Sequence, residues 1–375
     1  LSCSGKVRRK KTIFREMISE PGLILFLVIP FYLLIWLLNG LKKAGIARLN
    51  VNPNPQAISV LIPFRNEAQR IKPLLNSLAK LNLQKGDEII LLDDGSTDSG
   101  IPADYPLRDE IKLVRIPAHQ VGKKAALNHG FELSKNEWIL TTDADCWFGE
   151  DWLNSWRTKI QPETNLLIGP VMSTGSGFLA QFDQAENACL LTITNASAGH
   201  NQPMLCSGAN LLIRKTAWDA VGGYSAHANL ASGDDVLLMK AIHTFNPKSI
   251  KAVTDESISV YTQAASSWQM WFVQRRRWAS KSSHLSTIFQ RLHGLMLLCW
   301  LILFPIGLWY IGPAYGFMLL PEMYLIYEVS RSAGKPFNWY FWPLFRLFYP
   351  VLLVLMPITS LVWPSEWKSR SFQSE

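Results

Sequence analysis

Apolar residues follow three rhythms along this chain, and each predicts a different element. Between residues 22 and 41 (GLILFLVIPFYLLIWLLNGL) no ionisable side chain interrupts the run, which is long enough to cross a hydrocarbon core of about 30 Å. A transmembrane helix is expected there, because the run is long for a secretory h-region and no small-x-small cleavage site follows it. Short apolar runs come next, at 58–63, 88–92 and 138–141, the signature of strands buried on both faces, and a further strand is expected at 112–116. After the first of them, Ile71, Leu74, Leu75, Leu78 and Leu81 recur at three- and four-residue steps, one face of a helix. A second helix follows His119-Gln120-Val121-Gly122-Lys123 and carries Ala125, Ala126, Leu127 and Asn128. Strand, helix, strand predicts parallel pairing, and open parallel sheets bind ligands at the carboxyl ends of their strands. A short strand at 211–213 and a helix at 214–221, ended by Gly222-Gly223-Tyr224, extend the pattern.

The C-terminal part returns to long apolar runs. One spans 292–311, with His293 near its start and Pro305 inside, and predicts a transmembrane helix; a shorter one at 314–329 contains Glu322. The run at 341–363 is apolar apart from Arg346 and carries Pro343, Pro350 and Pro357, with Pro364 just beyond. A single crossing there would leave Lys368 and Arg370 outside, against the positive-inside bias, so a kinked or re-entrant segment is the alternative. Arg331 and Lys335 suit a cytosolic loop. Around the first helix the bias is divided: Lys6, Arg8, Arg9, Lys10, Lys11 and Arg15 precede it, and Lys42, Lys43 and Arg48 follow. The sequence opens on Leu1, and Met17 stands just before the apolar run. A native start at Met17 leaves the positive flank after the helix, placing the N-terminus outside and residue 42 onward in the cytosol.

Composition fits this division. Of 375 residues 48% are hydrophobic and 15 are Trp, richer than a soluble enzyme needs. The net charge of +8 comes from Lys and Arg beside apolar segments, which anionic lipid explains, so no nucleic-acid partner is expected. Five cysteines without C-x-x-C spacing support neither a zinc site nor a disulfide framework and read as reduced thiols.

Candidate chemistry gathers at the predicted strand ends. The run at 138–141 ends in Asp143-Ala144-Asp145, two close carboxylates whose mutual repulsion a divalent cation removes; Mg²⁺ takes one or two such ligands and completes its shell with water and phosphate oxygens. Asp93 and Asp94 follow the second strand, where a turn or cap role is the plain reading for at least one of them. Lys123 stands at a helix N-terminus, where backbone amides already favour an anion. Asp234 and Asp235 open another helix after Ser232-Gly233, with an N-cap as the plain reading for Asp234. Gln274-Arg275-Arg276-Arg277-Trp278 has the composition of a basic, aromatic interfacial helix.

Pro63-Phe64-Arg65-Asn66-Glu67, the DDGSTD at 93–98, the GKKAALNHG at 122–130, the DAD at 143–145, the GDD at 233–235 and the QRRRW at 274–278 together resemble the family-2 glycosyltransferases, in order and in spacing. The resemblance implies an α/β GT-A fold, a nucleotide-sugar-binding domain with a mostly parallel sheet flanked by helices, here with N- and C-terminal transmembrane helices. It implies that Asp93 or Asp94 contacts the uracil of a UDP-sugar, that Pro63, Arg65 and Glu67 lie toward the nucleoside, and that Lys123 serves the diphosphate. Asp143 and Asp145 would hold Mg²⁺ or Mn²⁺, with Asp143 also on the donor side. Asp235 would be the general base, next to Asp234 where the family usually carries Glu. Gln274, Arg277 and Trp278 would line the active site, Trp278 against the acceptor sugar and Arg277 near the departing diphosphate. Arg275 and Arg276 have no role in this reading and are expected to face lipid headgroups.

The expected organisation is a basic extension at 1–20, a transmembrane helix at 21–41, a cytosolic catalytic domain at 55–265 and an interfacial helix with Q-x-x-R-W at 266–284. Two or three transmembrane or re-entrant segments at 289–364 and a basic tail at 365–375 complete it. The expected enzyme is an inverting hexosyltransferase of the cytoplasmic membrane, multi-pass, with a nucleotide-sugar donor, a glycan or lipid-linked acceptor and membrane lipids as partners. Processive polysaccharide synthesis and single addition to a lipid, as in ceramide glucosyltransferases, both stay open, beside a catalytically silent scaffold of the same fold.

Overall fold

The computed structural model describes residues 20–46, 56–224 apart from positions 99, 102–104, 106–107, 118 and 120, then 234–279, 287–362, 366–367 and 370–371. The basic extension with Met17, Gln120, Ser232, Gly233 and Lys368 lie outside the described residues.

In chain order the elements are α1 (Glu20–Ile46), β1 (Ile58–Phe64), α2 (Lys72–Lys80), β2 (Glu88–Asp93), β3 (Ile111–Arg115), α3 (Lys123–Leu133), β4 (Trp138–Thr141), β5 (Cys146–Phe148), α4 (Trp152–Arg157), β6 (Leu166–Ile168) and β7 (Val171–Thr174). There follow α5 (Phe178–Gly199), β8 (Leu211–Arg214), α6 (Lys215–Ala220), α7 (Asp234–Phe245), β9 (Ile250–Ala252), β10 (Val260–Gln263), α8 (Trp268–Ala279), α9 (Ile288–Ile311), α10 (Leu319–Ser332) and α11 (Trp342–Val362). The main sheet has the order β3-β2-β1-β4-β8-β6-β9, and a smaller one has β5-β10-β7. The four strands β3, β2, β1 and β4 pair in parallel, as do β6 and β9, whereas β8 runs antiparallel between β4 and β6.

Successive residues on a strand face opposite sides, and both sides here are apolar. On β1 and β2, Val60, Ile62, Ile89 and Leu91 join the core under α2 and α4, while Leu61, Ile90 and Leu92 join the one under α3 and α7. That two-sided burial is why these runs are continuous rather than alternating. Ile71, Leu74, Leu75, Leu78 and Leu81 are all buried, as their spacing predicts. Pro63 is tolerated in a central strand for a specific reason. The carbonyl of Leu61 accepts from the amide of Thr142, so the N–H vectors of residues 61 and 63 point toward β4, whose pairing with β1 ends at Leu61 and Thr141. A missing N–H there breaks no ladder bond.

Glu88 ties three segments together: its carboxylate accepts from Ser59 Oγ (2.8 Å), the Lys135 amide (2.7 Å) and Lys112 Nζ (2.9 Å). Burial alone raises its pKa, yet the Lys135 amide, the Lys112 ammonium and the Ser59 hydroxyl outweigh burial and hold it below the ordinary value. A carboxyl whose folded pKa is depressed contributes stability above its unfolded pKa, and that contribution is lost as pH falls through the folded one. Glu88→Gln is therefore expected to destabilise the protein at neutral pH by about 1–2 kcal/mol, with the gap to the parent closing below about pH 4. Denaturant unfolding at both pH values checks this.

The long helix α5 joins the main sheet to the apolar helices. It packs against α1, where Gly40 and Gly199 let the backbones meet: a Cβ on Gly40 would run into the carbonyl oxygen of Ala196, and one on Gly199 into that of Gly40. Gly40→Val should push α1 off α5 and cost about 1–3 kcal/mol, read as a lowered unfolding temperature in detergent. Among the described residues two helices are long and apolar enough to cross a membrane, at Phe26–Gly45 and Ile288–Trp309, with 28% and 22% of those stretches buried.

The two later apolar runs of the C-terminal part take different forms. The run at 314–329 becomes a 3₁₀ turn, Pro313–Met318, and then α10, whose 14 residues extend only about 21 Å at 1.5 Å per residue, short of a bilayer. Within the Pro-rich run, Trp342–Val362 form one helix, α11, with Pro343 near its start, a position where the missing N–H is harmless.

Candidate active site

The carboxyl ends of β1, β2 and β4 stand side by side, and their loops are stapled to one another. Asn66, after β1, adopts a left-handed conformation (φ 52°). Its side-chain oxygen accepts from the Thr97 amide at 2.8 Å, and its own amide donates to Ser96 Oγ at 3.1 Å. Asp93 takes the turn role, accepting from the Ser96 amide at 2.7 Å. Asp94 is buried and accepts from the Gly122 amide at 2.9 Å, while its carbonyl accepts from Arg65 at 3.1 Å. Asp94 thus anchors the residue that precedes α3, and Gly122 sits at φ 100°, where glycine is favoured. The β2 aspartates organise the loop that delivers Lys123. Glu67 is buried beside Arg70, and Pro63 is buried in β1.

Lys123 Nζ reaches Asp143 Oδ1 at 2.5 Å. On the other side of buried Ala144, Asp145 lies 3.6 Å from Arg70, which also pairs with Glu67 at 2.8 Å. Burial pushes the Asp145 carboxyl above its ordinary value, and the charges of Asp143 and Glu67 push the same way against Arg70 and Lys123. Three carboxylates thus crowd a partly buried corner at the end of β4, and a further positive charge would relieve them.

Gly208 joins this corner to the other acidic motif. Its carbonyl accepts from Thr141 Oγ1 at 2.8 Å and its amide donates to Asp235 Oδ2 at 3.1 Å. The position of a Cβ on Gly208 lies 3.6 Å from both Lys123 Nζ and the Asp235 Cβ. Asp235 also accepts from the Val236 amide at 2.9 Å, in the first turn of α7. Lys123, Asp143 and Asp235, far apart in sequence, therefore meet around one glycine. Asp234 opens α7; its side chain lies outside the described residues.

Among the described residues no three His, Cys, Asp or Glu side chains form a ready-made metal cage. Asp143 and Asp145 nevertheless fit a divalent ion of the Mg²⁺ or Mn²⁺ kind, which takes hard oxygen ligands, needs few of them from protein and fills its shell from water and phosphate. Cys146, directly behind the pair, is no ligand of this type: burial, with the Asp145 and Asp143 charges, pushes its thiol well up.

The Q-x-x-R-W residues Gln274, Arg277 and Trp278 are partly buried on α8. The expectation that Arg275 faces lipid headgroups is overturned. It is 4% exposed and its guanidinium donates to Glu186 Oε2 (2.6 Å), to Asp183 and to Gln274. The local signal for Arg275 was indistinguishable from that of its two arginine neighbours. Sequence reasoning also missed Arg70 and gave neither Asn66 nor Gly208 a role of its own; Asn66, a polar residue able to adopt positive φ after a strand, left a local trace.

Residues 59–221 match the profile described as Glycosyl transferase family 2. Glycosyltransferase AglE of Haloferax volcanii is 27% identical over 186 residues, 48% of this chain and 59% of that protein. The poly-beta-1,6-N-acetyl-D-glucosamine synthase of Staphylococcus epidermidis is 25% identical over 197 residues, 51% of this chain and 47% of that one. The chain thus spans about half the length of these relatives. Among solved structures, the mannosyltransferase PcManGT of Pyrobaculum calidifontis, in complex with GDP-Man and Mn²⁺, superimposes with a TM-score of 0.54 at 15% identity, over 91% of this chain and 96% of that one. At that identity the likeness concerns the fold alone.

Proposed function

We propose, from the match of residues 59–221 to the family-2 glycosyltransferase profile and from an α/β GT-A-like fold with a mostly parallel sheet flanked by helices, that this chain is an inverting transferase of that family. It moves a sugar from a nucleotide diphosphate, UDP-sugar in the first place, to a glycan or lipid-linked acceptor at the membrane. The observation that carries this reading is the convergence of Lys123 and Asp235 on Gly208 beside Asp143. A cation for a leaving anion and a carboxylate for an incoming hydroxyl stand on either side of a position without a side chain.

Asp235 takes the proton of the acceptor hydroxyl as its oxygen attacks C1 of the donor sugar; the new O–C1 bond forms on the face opposite the C1–O bond to the diphosphate, which breaks with its electron pair. The charge at C1 passes through an oxocarbenium-like state, as in glycoside hydrolysis. Lys123, at the N-terminus of α3, and Arg277 stabilise the charge on the departing diphosphate. A divalent cation on Asp143 and Asp145 would add Lewis-acid neutralisation of the same oxygens. Pro63, Arg65, Glu67, Asp93 and Asp94 form the nucleoside side, while Gln274 and Trp278 form the acceptor side.

The membrane reading rests on α1 and α9, which expose Leu27, Phe31, Ile35, Leu292, Leu295 and Trp309, and on α11. Together they would make a multi-pass protein with the catalytic domain on the cytosolic face. The decisive experiment is a donor panel: detergent-solubilised protein, a set of nucleotide sugars, with and without Mn²⁺ or Mg²⁺, scored for hydrolysis and transfer. Metal-dependent turnover of a UDP-sugar is expected. Neither binding nor turnover of any nucleotide sugar would make the chain a silent scaffold. Product length then separates a synthase, which gives a ladder, from an enzyme that makes a single adduct.

A further inference from the structure

We infer that Arg275, between the motif residues, is a positioning residue that sets the Gln274 and Trp278 side chains, and that it links the apolar helix α11 to the acceptor side of the site. The inference rests on the acceptor role proposed for those two residues.

The guanidinium is the hub of a buried network. It lies over the Trp278 ring at 4.3 Å to the centroid and near the Trp271 ring at 5.1 Å, so one face of the Trp278 indole is covered by a cation. It also donates to the Gln274 side-chain oxygen. Two of the three motif side chains are therefore oriented by the residue between them. Opposite stand Asp183 and Glu186, successive turns of α5, both buried. Each is held by a second donor: Ser173 on β7 donates to Asp183, and Tyr349 on α11 donates to Glu186 Oε1 at 2.7 Å. One guanidinium facing two carboxylates, with a hydroxyl on each, leaves the arginine few alternative rotamers.

The fork geometry matters here. Arginine presents several in-plane donors and stacks on aromatic faces, whereas lysine is a point charge on a flexible stem. Lysine at 275 keeps the charge that the two buried carboxylates require, so the fold survives, but it loses the simultaneous grip on Glu186, Asp183, Gln274 and the Trp278 face. Displacing a group that aligns a reactant by about 1 Å can cost on the order of a hundredfold in rate. Because Tyr349 belongs to α11, a movement of that helix reaches Trp278 through Glu186 and Arg275.

The test uses the full chain in detergent with 5-fluorotryptophan, the Trp278 resonance being assigned by Trp278→Phe. Arg275→Lys and the milder Tyr349→Phe are both expected to shift or broaden the Trp278 fluorine signal. With a donor from the panel and a total lipid and glycan extract as acceptor source, Arg275→Lys should raise the apparent acceptor KM by at least about tenfold, with donor KM changed less than about threefold. An unmoved Trp278 signal in Arg275→Lys overturns the inference, as does a parallel rise in donor and acceptor KM, the mark of general loosening. If the parent protein turns over no nucleotide sugar, the functional reading falls, while the fluorine spectra still decide whether Arg275 sets Trp278.

Discussion

Asp235→Asn is expected to lower sugar transfer on the order of a thousandfold while nucleotide-sugar binding stays intact. The substitution keeps volume and shape. Asp235 accepts from the Gly208 and Val236 amides, at 3.1 and 2.9 Å, and Asn can preserve one of these bonds through its oxygen. What it cannot do is receive the acceptor proton, and without that the attacking oxygen carries a positive charge in the transition state. The lost amide contact is worth about 1 kcal/mol, too little to account for a thousandfold, which is about 4 kcal/mol. Turnover with the best donor of the panel, beside calorimetric binding of the same nucleotide sugar, reads the two quantities separately. Near-normal turnover with intact binding would remove Asp235 from the role of base.

The second large effect is expected at Asp145. Asp145→Ala should also reduce transfer by about a thousandfold, because a group that offsets charge on the leaving diphosphate acts in the transition state. Here stability should move in the opposite direction from activity. Burial and the neighbouring Asp143 charge push the Asp145 carboxyl up, and a carboxyl whose folded pKa lies above its unfolded one costs stability at neutral pH. Removing it relieves that cost, and Arg70, half exposed, keeps its 2.8 Å partner Glu67. The expected result is an inactive protein whose thermal midpoint equals or exceeds the parent's and whose midpoint no longer rises on adding Mn²⁺. A clear fall in the midpoint would mean that Asp145 serves the fold instead.

Much of this architecture was legible along the chain because its information is local. A strand covered on both faces is a continuous apolar run, so β1, β2 and β4 could be read to within a residue or two, and β3, an edge strand with three of its five residues exposed, lies one residue from its expected place. Lys123 could be placed at the start of a helix and Asp143 just past a strand, because periodicity marks element ends. The acidic and basic motifs, read together, indicated the glycosyltransferase family, and the match over residues 59–221 agrees.

What periodicity cannot carry is which distant groups meet, since that depends on how layers stack. Lys123 and Asp143 read as servants of the phosphate and of the metal; in the folded chain they are also each other's partner at 2.5 Å. Gly208 carries no mark of its own along the chain, and only the folded structure brings Thr141, Lys123 and Asp235 to it. In QRRRW three consecutive arginines look alike, and the strong hydration of charge argues for a surface. One of them is buried because carboxylates 89 and 92 residues earlier in the chain lie on the facing turns of α5, enough to compensate a guanidinium out of water. By itself, then, the sequence determined the elements and the sheet edge at which the candidate groups stand. The pairing of charges across that edge, and the choice of which arginine turns inward, were decided by tertiary packing, because the cost of a buried charge is set by its neighbours in space.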